Sequence, residues 1–134
     1  MKAGEQNDQQ KRFNVYERLK SFRNAFSGIT GLLRYEHNAR IHLFILILVI
    51  LTGILIKISS SDWIAIVFAS GLVFISECFN TAVEYLSDAI SPGYNEKIKR
   101  AKDVAAAGVL ISALAAVIIG VIVFLPHIFR LIDS

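Results

Sequence analysis

The sequence predicts an all-α membrane protein: an N-terminal amphipathic helix lying at the membrane interface, followed by three transmembrane helices. Three observations predict it. Hydrophobic residues make up 54% of the 134 residues, and they gather into three long runs, as a chain that crosses a bilayer requires. A basic amphipathic stretch stands immediately before the first run. Lysine and arginine then fall almost entirely on one side of the predicted spans.

Residues 1–12 are polar and charged and are expected to be disordered. They hold no short apolar core followed by a small-residue cleavage site, so the first span is expected to act as an uncleaved insertion signal. Residues 13–35 read as the interfacial helix. Leu19, Phe22, Phe26, Ile29 and Leu33 recur at spacings of 3, 4, 3 and 4, one stripe of a helix, with Lys20, Arg23, Asn24, Ser27 and Arg34 largely off it. A basic amphipathic helix of this kind lies in the headgroup plane.

The three spans are placed at 39–58, 63–89 and 104–125. About 20 residues at ~1.5 Å each cross ~30 Å of hydrocarbon, and all three runs qualify. A polar hairpin at 57–62 joins the first two. Ser91-Pro92-Gly93 breaks the second and opens a polar loop to Asp103, and Pro126 is expected to close the third. The region from 13 to 134 is read as a single domain.

Eight lysines and arginines precede the first span, counted through Arg40, and four more (Lys97, Lys99, Arg100, Lys102) lie in the 91–103 loop. Only Lys57 and Arg130 fall on the other side. Positive residues stay on the cytoplasmic side, so the N-terminus and the 91–103 loop are expected in the cytoplasm. The net charge of +3 is local and calls for no nucleic acid. Trp63 and Tyr85 suit the aromatic belts, and His37, His42 and His127, which lack metal-ligand spacing, are read as interfacial. Cys78 cannot form an intrachain disulfide and reads as a small buried hydrophobe. Gly108, Ser112, Ala116 and Gly120 form a small-residue ridge on the third span, suited to close helix packing.

The chemistry gathers in the second half of the second span. Glu77, Glu84 and Asp88 fall within about 40° of one another around a helix, with Asn80 and Thr81 beside them. Charges near mid-bilayer cost several kcal/mol unless paired, protonated or hydrated, so such a stripe marks a site. Polar glue between helices is the plainer alternative, and three acids plus an asparagine exceed what glue needs. Glu36 before the first span and Lys102-Asp103 before the third are expected to converge with Glu84 and Asp88 at the cytoplasmic end. Carboxylates with a lysine suit Mg²⁺ and polyphosphate, the needs of phosphoryl transfer. The chain has no Walker A motif or kinase glycine-rich loop. Glu77 lies roughly 10 Å deeper than Glu84 along the axis, where a lipid-borne hydroxyl would arrive.

At these residues the sequence resembles the prokaryotic diacylglycerol kinase and undecaprenol kinase family of small trimeric membrane enzymes. The resemblance rests on Glu77-x-x-Asn80-Thr81-Ala82-x-Glu84-x-x-x-Asp88 and on Ala101-Lys102-Asp103-x-Ala105-Ala106-Ala107. Lys20-Ser21-Phe22 and Glu36-x-Asn38 also match, and the likeness spans roughly residues 17 to 125. It implies an ATP-dependent kinase of a membrane lipid alcohol, undecaprenol or diacylglycerol, at the cytoplasmic face of a bacterial inner membrane. Glu77 then looks like the general base, supported by Asn80, and Glu36 and Glu84 look like Mg²⁺ ligands. Lys102 and Asp103 resemble the pair that contacts ATP, with Asp88 in the same cofactor-binding group. Gly93, Tyr94 and Asn95 match the nucleotide loop, and Asn24 matches a nucleotide contact on the interfacial helix. The family implies a homotrimer with shared active sites.

Two departures stand out. Glu17 occupies the place of a nucleotide-contacting arginine of the diacylglycerol branch, with Arg18 beside it. Gly93 replaces the acidic residue that opens that branch's nucleotide loop. The Glu36-x-Asn38-x-x-x-His42 pattern leans toward the undecaprenol branch. The competing reading is a small proton- or cation-coupled transporter subunit, in which the acids would bind the coupling ion.

Overall fold

The computed structural model describes residues 15–132. The expected disordered segment 1–12 and the first two residues of the expected interfacial helix lie outside the described residues. Four helices follow in order: α1 Val15–Tyr35, α2 His37–Leu55, α3 Ser60–Ile90 and α4 Glu96–Ile132. No strand occurs among the described residues, so the all-α expectation holds. Within α2, α3 and α4 are three stretches long and apolar enough to cross a membrane.

The helix α1 leaves its apolar stripe uncovered, with Leu19, Phe22, Phe26 and Ile29 all exposed and only Leu32 buried. An exposed apolar face with basic residues off it fits a helix lying on the bilayer surface. A single residue, Glu36, separates α1 from α2. It takes extended dihedrals (φ −94°, ψ 120°) at the N-cap of α2, and its side chain makes no capping bond. Its carboxylate is therefore left free to face the neighbouring helix.

The α2–α3 hairpin is tight. Lys57 takes the left-handed conformation at φ 55°, and Ser59 and Asp62 form a reciprocal capping box that starts α3, satisfying backbone donors the helix start would leave open. Trp63, expected as a belt residue, is half-buried and packs across Gly53, where an added Cβ would meet its ring at 3.0 Å. Ile58, Ile66 and Val123 form the apolar core of this end, with Trp63 and Phe124 packed on them.

Of the three spans, α3 is the central one: 33% of its apolar window is buried, against 11% for each of the other two. Its main neighbour is α4. Between them Ser76 and Ser112 share a hydrogen bond of 2.6 Å. Ser112 lies on the small-residue ridge and is buried, whereas a Cβ at Gly108 or Gly120 would meet nothing within 4 Å. Within one chain the ridge thus makes its close approach at Ser112.

Two expected boundaries move. The loop after α3 closes at Asn95, and α4 begins at Glu96 rather than at 104. Asn95 Oδ1 accepts from the backbone N–H groups of Lys97 and Ile98 at 2.9 and 3.3 Å, and the i,i+4 pairs Glu96–Arg100 and Lys99–Asp103 run along the first turns. Capping and charge pairing make this polar stretch a good helix start. At the other end α4 continues through Pro126. Pro126 leaves the Ile122 carbonyl without its i+4 N–H donor, a loss apolar helices tolerate by local adjustment. At 31 and 37 residues, α3 and α4 exceed the ~20 residues that span hydrocarbon, so their polar ends project beyond it.

Candidate active site

The acidic stripe of α3 is graded. Glu77 is 1% exposed, Glu84 is half-buried, and Asp88 is exposed. Each acid meets a different neighbour. The Nε2 atom of His42, on α2, lies 3.2 Å from Glu77 Oε1, at ion-pair distance though off the line of a good hydrogen bond. Asn80 Nδ2 donates to Glu84 Oε1 at 3.0 Å. The Tyr85 hydroxyl reaches from α3 to α2 and donates to Glu36 Oε1 at 3.2 Å. Lys102 Nζ, on α4, donates to Asp88 Oδ1 at 3.1 Å. Glu36 and Glu84 both repel the Glu77 carboxylate electrostatically, so the three acids share one corner of the bundle.

The predicted residues therefore come together in part. Glu36, Glu77, Asn80 and Glu84 form the corner, with Lys102 and Asp88 bridging α3 and α4 at its rim. Asp103 departs from the expected convergence: it is exposed and pairs with Lys99 at 2.7 Å. Consecutive helical residues point about 100° apart, so Lys102 and Asp103 cannot face α3 together. Gly93, Tyr94 and Asn95 are exposed in the short loop, where Ser91 Oγ donates to the Gly93 carbonyl at 3.2 Å and the Asn95 side chain is engaged as a cap. Asn24 is exposed on α1, two helical turns before Leu32.

Three residues behave differently from expectation. Tyr85 ties Glu36 into the cluster instead of serving only as a belt residue. His42 partners the buried acid instead of sitting free at an interface. Cys78 is exposed rather than buried, because it lies one residue from Glu77 and so points to the outer side of α3. The signal for Tyr85 was its place beside Glu84. For His42 it was an imidazole within the first turns of an otherwise apolar span.

Among the described residues, three buried side-chain atoms lack hydrogen-bond partners: Glu77 Oε1, Asn80 Oδ1 and Thr81 Oγ1. Buried polar atoms are normally satisfied, so this cluster marks a place built to receive something. On the other side of His42 an apolar cleft of about 340 Å³ runs between α2, α3 and α4, lined by residues such as Leu46, Val73 and Ala116.

No group of three or more metal-ligating side chains occurs among the described residues. Mg²⁺ retains waters and takes one or two carboxylates plus substrate phosphates. Glu36 and Glu84 are the carboxylates that could serve, each with Oε1 accepting a hydrogen bond, from Tyr85 and Asn80 respectively. The residues present fit a metal shared with a nucleotide.

Fold and site together define a helical membrane protein with a carboxylate-lined polar corner opening beside an apolar cleft. Comparison with known proteins places it further. Residues 23–124 match the family model for prokaryotic diacylglycerol kinase, and the chain belongs to that family. It is 36% identical over 108 residues to an undecaprenol kinase of Bacillus subtilis, covering 81% of this chain and 88% of that one. It is 38% identical over 114 residues to a diacylglycerol kinase of Synechocystis, covering 84% of this chain and 65% of the relative. The chain is thus a lipid kinase of a bacterial membrane, and the transporter reading gives way.

Proposed function

We propose that the protein transfers the γ-phosphoryl group of ATP to the primary hydroxyl of a membrane lipid, undecaprenol or diacylglycerol. The reaction runs with Mg²⁺ at the cytoplasmic face of the inner membrane, in a homotrimer with shared sites. The observation that carries this reading is the position of Glu77. It is fully buried against His42, which itself lines the apolar cleft, so a hydroxyl reaches it most readily on an apolar body.

In this reading Glu77 accepts the hydroxyl proton as the lipid oxygen bonds to the γ-phosphorus and the bond to the β-phosphate oxygen breaks, releasing ADP. Asn80 holds Glu84 in place by donating from Nδ2, and its free Oδ1 is left to accept from an incoming donor. Glu36 and Glu84 would hold Mg²⁺, which neutralises phosphate charge when bound. Lys102, at the rim, meets the phosphates by exchanging Asp88 for a phosphate oxygen. Gly93, Tyr94 and Asn95 stand beside the nucleotide, with Asn24 approaching from the surface helix and Asp103 from α4.

The test is label transfer from γ-labelled ATP in mixed micelles carrying undecaprenol or diacylglycerol in parallel. We expect Mg²⁺-dependent labelling of lipid, with undecaprenol favoured in line with the Glu36-x-Asn38-x-x-x-His42 pattern. Absence of labelled lipid with both acceptors would end the proposal.

A further inference from the structure

Glu77 has a difficulty that its own helix does not resolve. Its side chain is 2% exposed, and Glu36 and Glu84 both repel its negative charge. A buried carboxylate must be paired or hydrogen-bonded, and Glu77 Oε1 has no hydrogen-bond partner. Three basic residues of α4 are paired with other acids: Lys102 with Asp88, Lys99 with Asp103, Arg100 with Glu96. His42 Nε2, 3.2 Å from Glu77 Oε1, is the base at this acid. From α4 the cleft that His42 borders is lined by Ala113, Ala116, Val117, Ile119, Gly120 and Phe124, none of which brings a competing charge.

We propose that His42 is the positioning residue for Glu77. Its imidazole, half-buried and fixed on α2, donates Nε2–H toward Oε1. This holds the carboxylate turned so that Oε2 is left for the lipid hydroxyl. The contact tightens when the site fills, as hydrogen bonds of resting enzymes commonly do. His42 also lines the apolar cleft, so the same ring marks where the lipid's apolar part ends and its hydroxyl begins. The inference rests on the reading of Glu77 as proton acceptor.

The experiment is a set of steady-state titrations on the full-length protein in micelles: His42→Ala and His42→Gln, each alone and combined with Glu77→Gln. Turnover is referred to folded protein counted by near-ultraviolet circular dichroism. We expect His42→Ala to lower kcat by about 10- to 100-fold, the usual range for a group that orients another, with KM for ATP and lipid held within about twofold. His42→Gln, which retains an N–H donor, should recover most of the loss. In the Glu77→Gln background His42→Ala should change nothing further, since residues acting as one unit are non-additive. Full kcat in His42→Ala alongside an inactive Glu77→Gln would overturn the His42 role alone. An equal drop on removing His42 in both backgrounds would also overturn it. Full turnover in Glu77→Gln would instead overturn the proton-acceptor reading.

Discussion

Replacing Lys102 by alanine separates a structural role from a catalytic one, because the two predict effects of different size in different assays. In the resting structure Lys102 Nζ sits 3.1 Å from Asp88 Oδ1, with side-chain exposures of 38% and 71%. An exposed pair of this kind contributes about 0–1 kcal/mol, so Lys102→Ala should shift the midpoint of thermal unfolding little. If the ammonium leaves Asp88 to meet ATP phosphates, the lost charge-assisted bond is worth about 1.5–3 kcal/mol. That is about 10- to 150-fold in KM for ATP or in kcat/KM. The assay is an ATP titration at saturating lipid, paired with a thermal scan of the same preparation. An unchanged KM and kcat in Lys102→Ala, with stability also unchanged, would refute the reasoning and place Lys102 outside the site.

Glu84→Gln removes one of the two carboxylates proposed to share the metal, and it should raise the Mg²⁺ concentration for half-maximal rate by at least about tenfold, ~1.4 kcal/mol. A Mg²⁺ titration at fixed ATP checks this, and an unshifted curve would contradict the assignment. Gly53→Ala tests the hairpin end, where the new Cβ would lie 3.0 Å from both Ile58 Cδ1 and Trp63 Cη2. Overpacking costs about 1–3 kcal/mol and better helix propensity returns about 1. We expect a net loss of about 1 kcal/mol by denaturant unfolding with turnover per folded molecule unchanged, and a gain in stability would contradict the close contact.

The parts of this molecule that were legible in its sequence are those governed by local pattern. Apolar runs of bilayer length gave the spans, and the stripe of Leu19, Phe22, Phe26 and Ile29 gave the surface helix. The spacing of Glu77, Glu84 and Asp88 put the acids on one face, and the structure keeps that face toward the other helices, with burial deepest at Glu77. What escaped was decided by the contacts between helices or by capping. The bond from Tyr85 to Glu36 and the approach of His42 to Glu77 both depend on how α2 leans on α3, and no residue spacing within one helix reports that. Asn95 belongs to a turn motif in sequence but becomes a cap once Glu96–Arg100 and Lys99–Asp103 make the following stretch helical. That early start of α4 also divides Lys102 from Asp103. Pro126 looked like a stop, yet the helix around it is apolar and has no water to compete for its carbonyls, so it continues.

In the proposed reaction the buried Glu77 accepts a proton from a lipid hydroxyl while phosphate moves from ATP. The most direct test is the initial rate of label transfer from γ-labelled ATP to lipid by Glu77→Gln, an isosteric change that keeps the side chain's shape and removes its basicity. General-base assistance is worth about 10²- to 10⁴-fold, so kcat should fall by that much, with ATP and Mg²⁺ still bound. Turnover within a few-fold of the unaltered protein would contradict it.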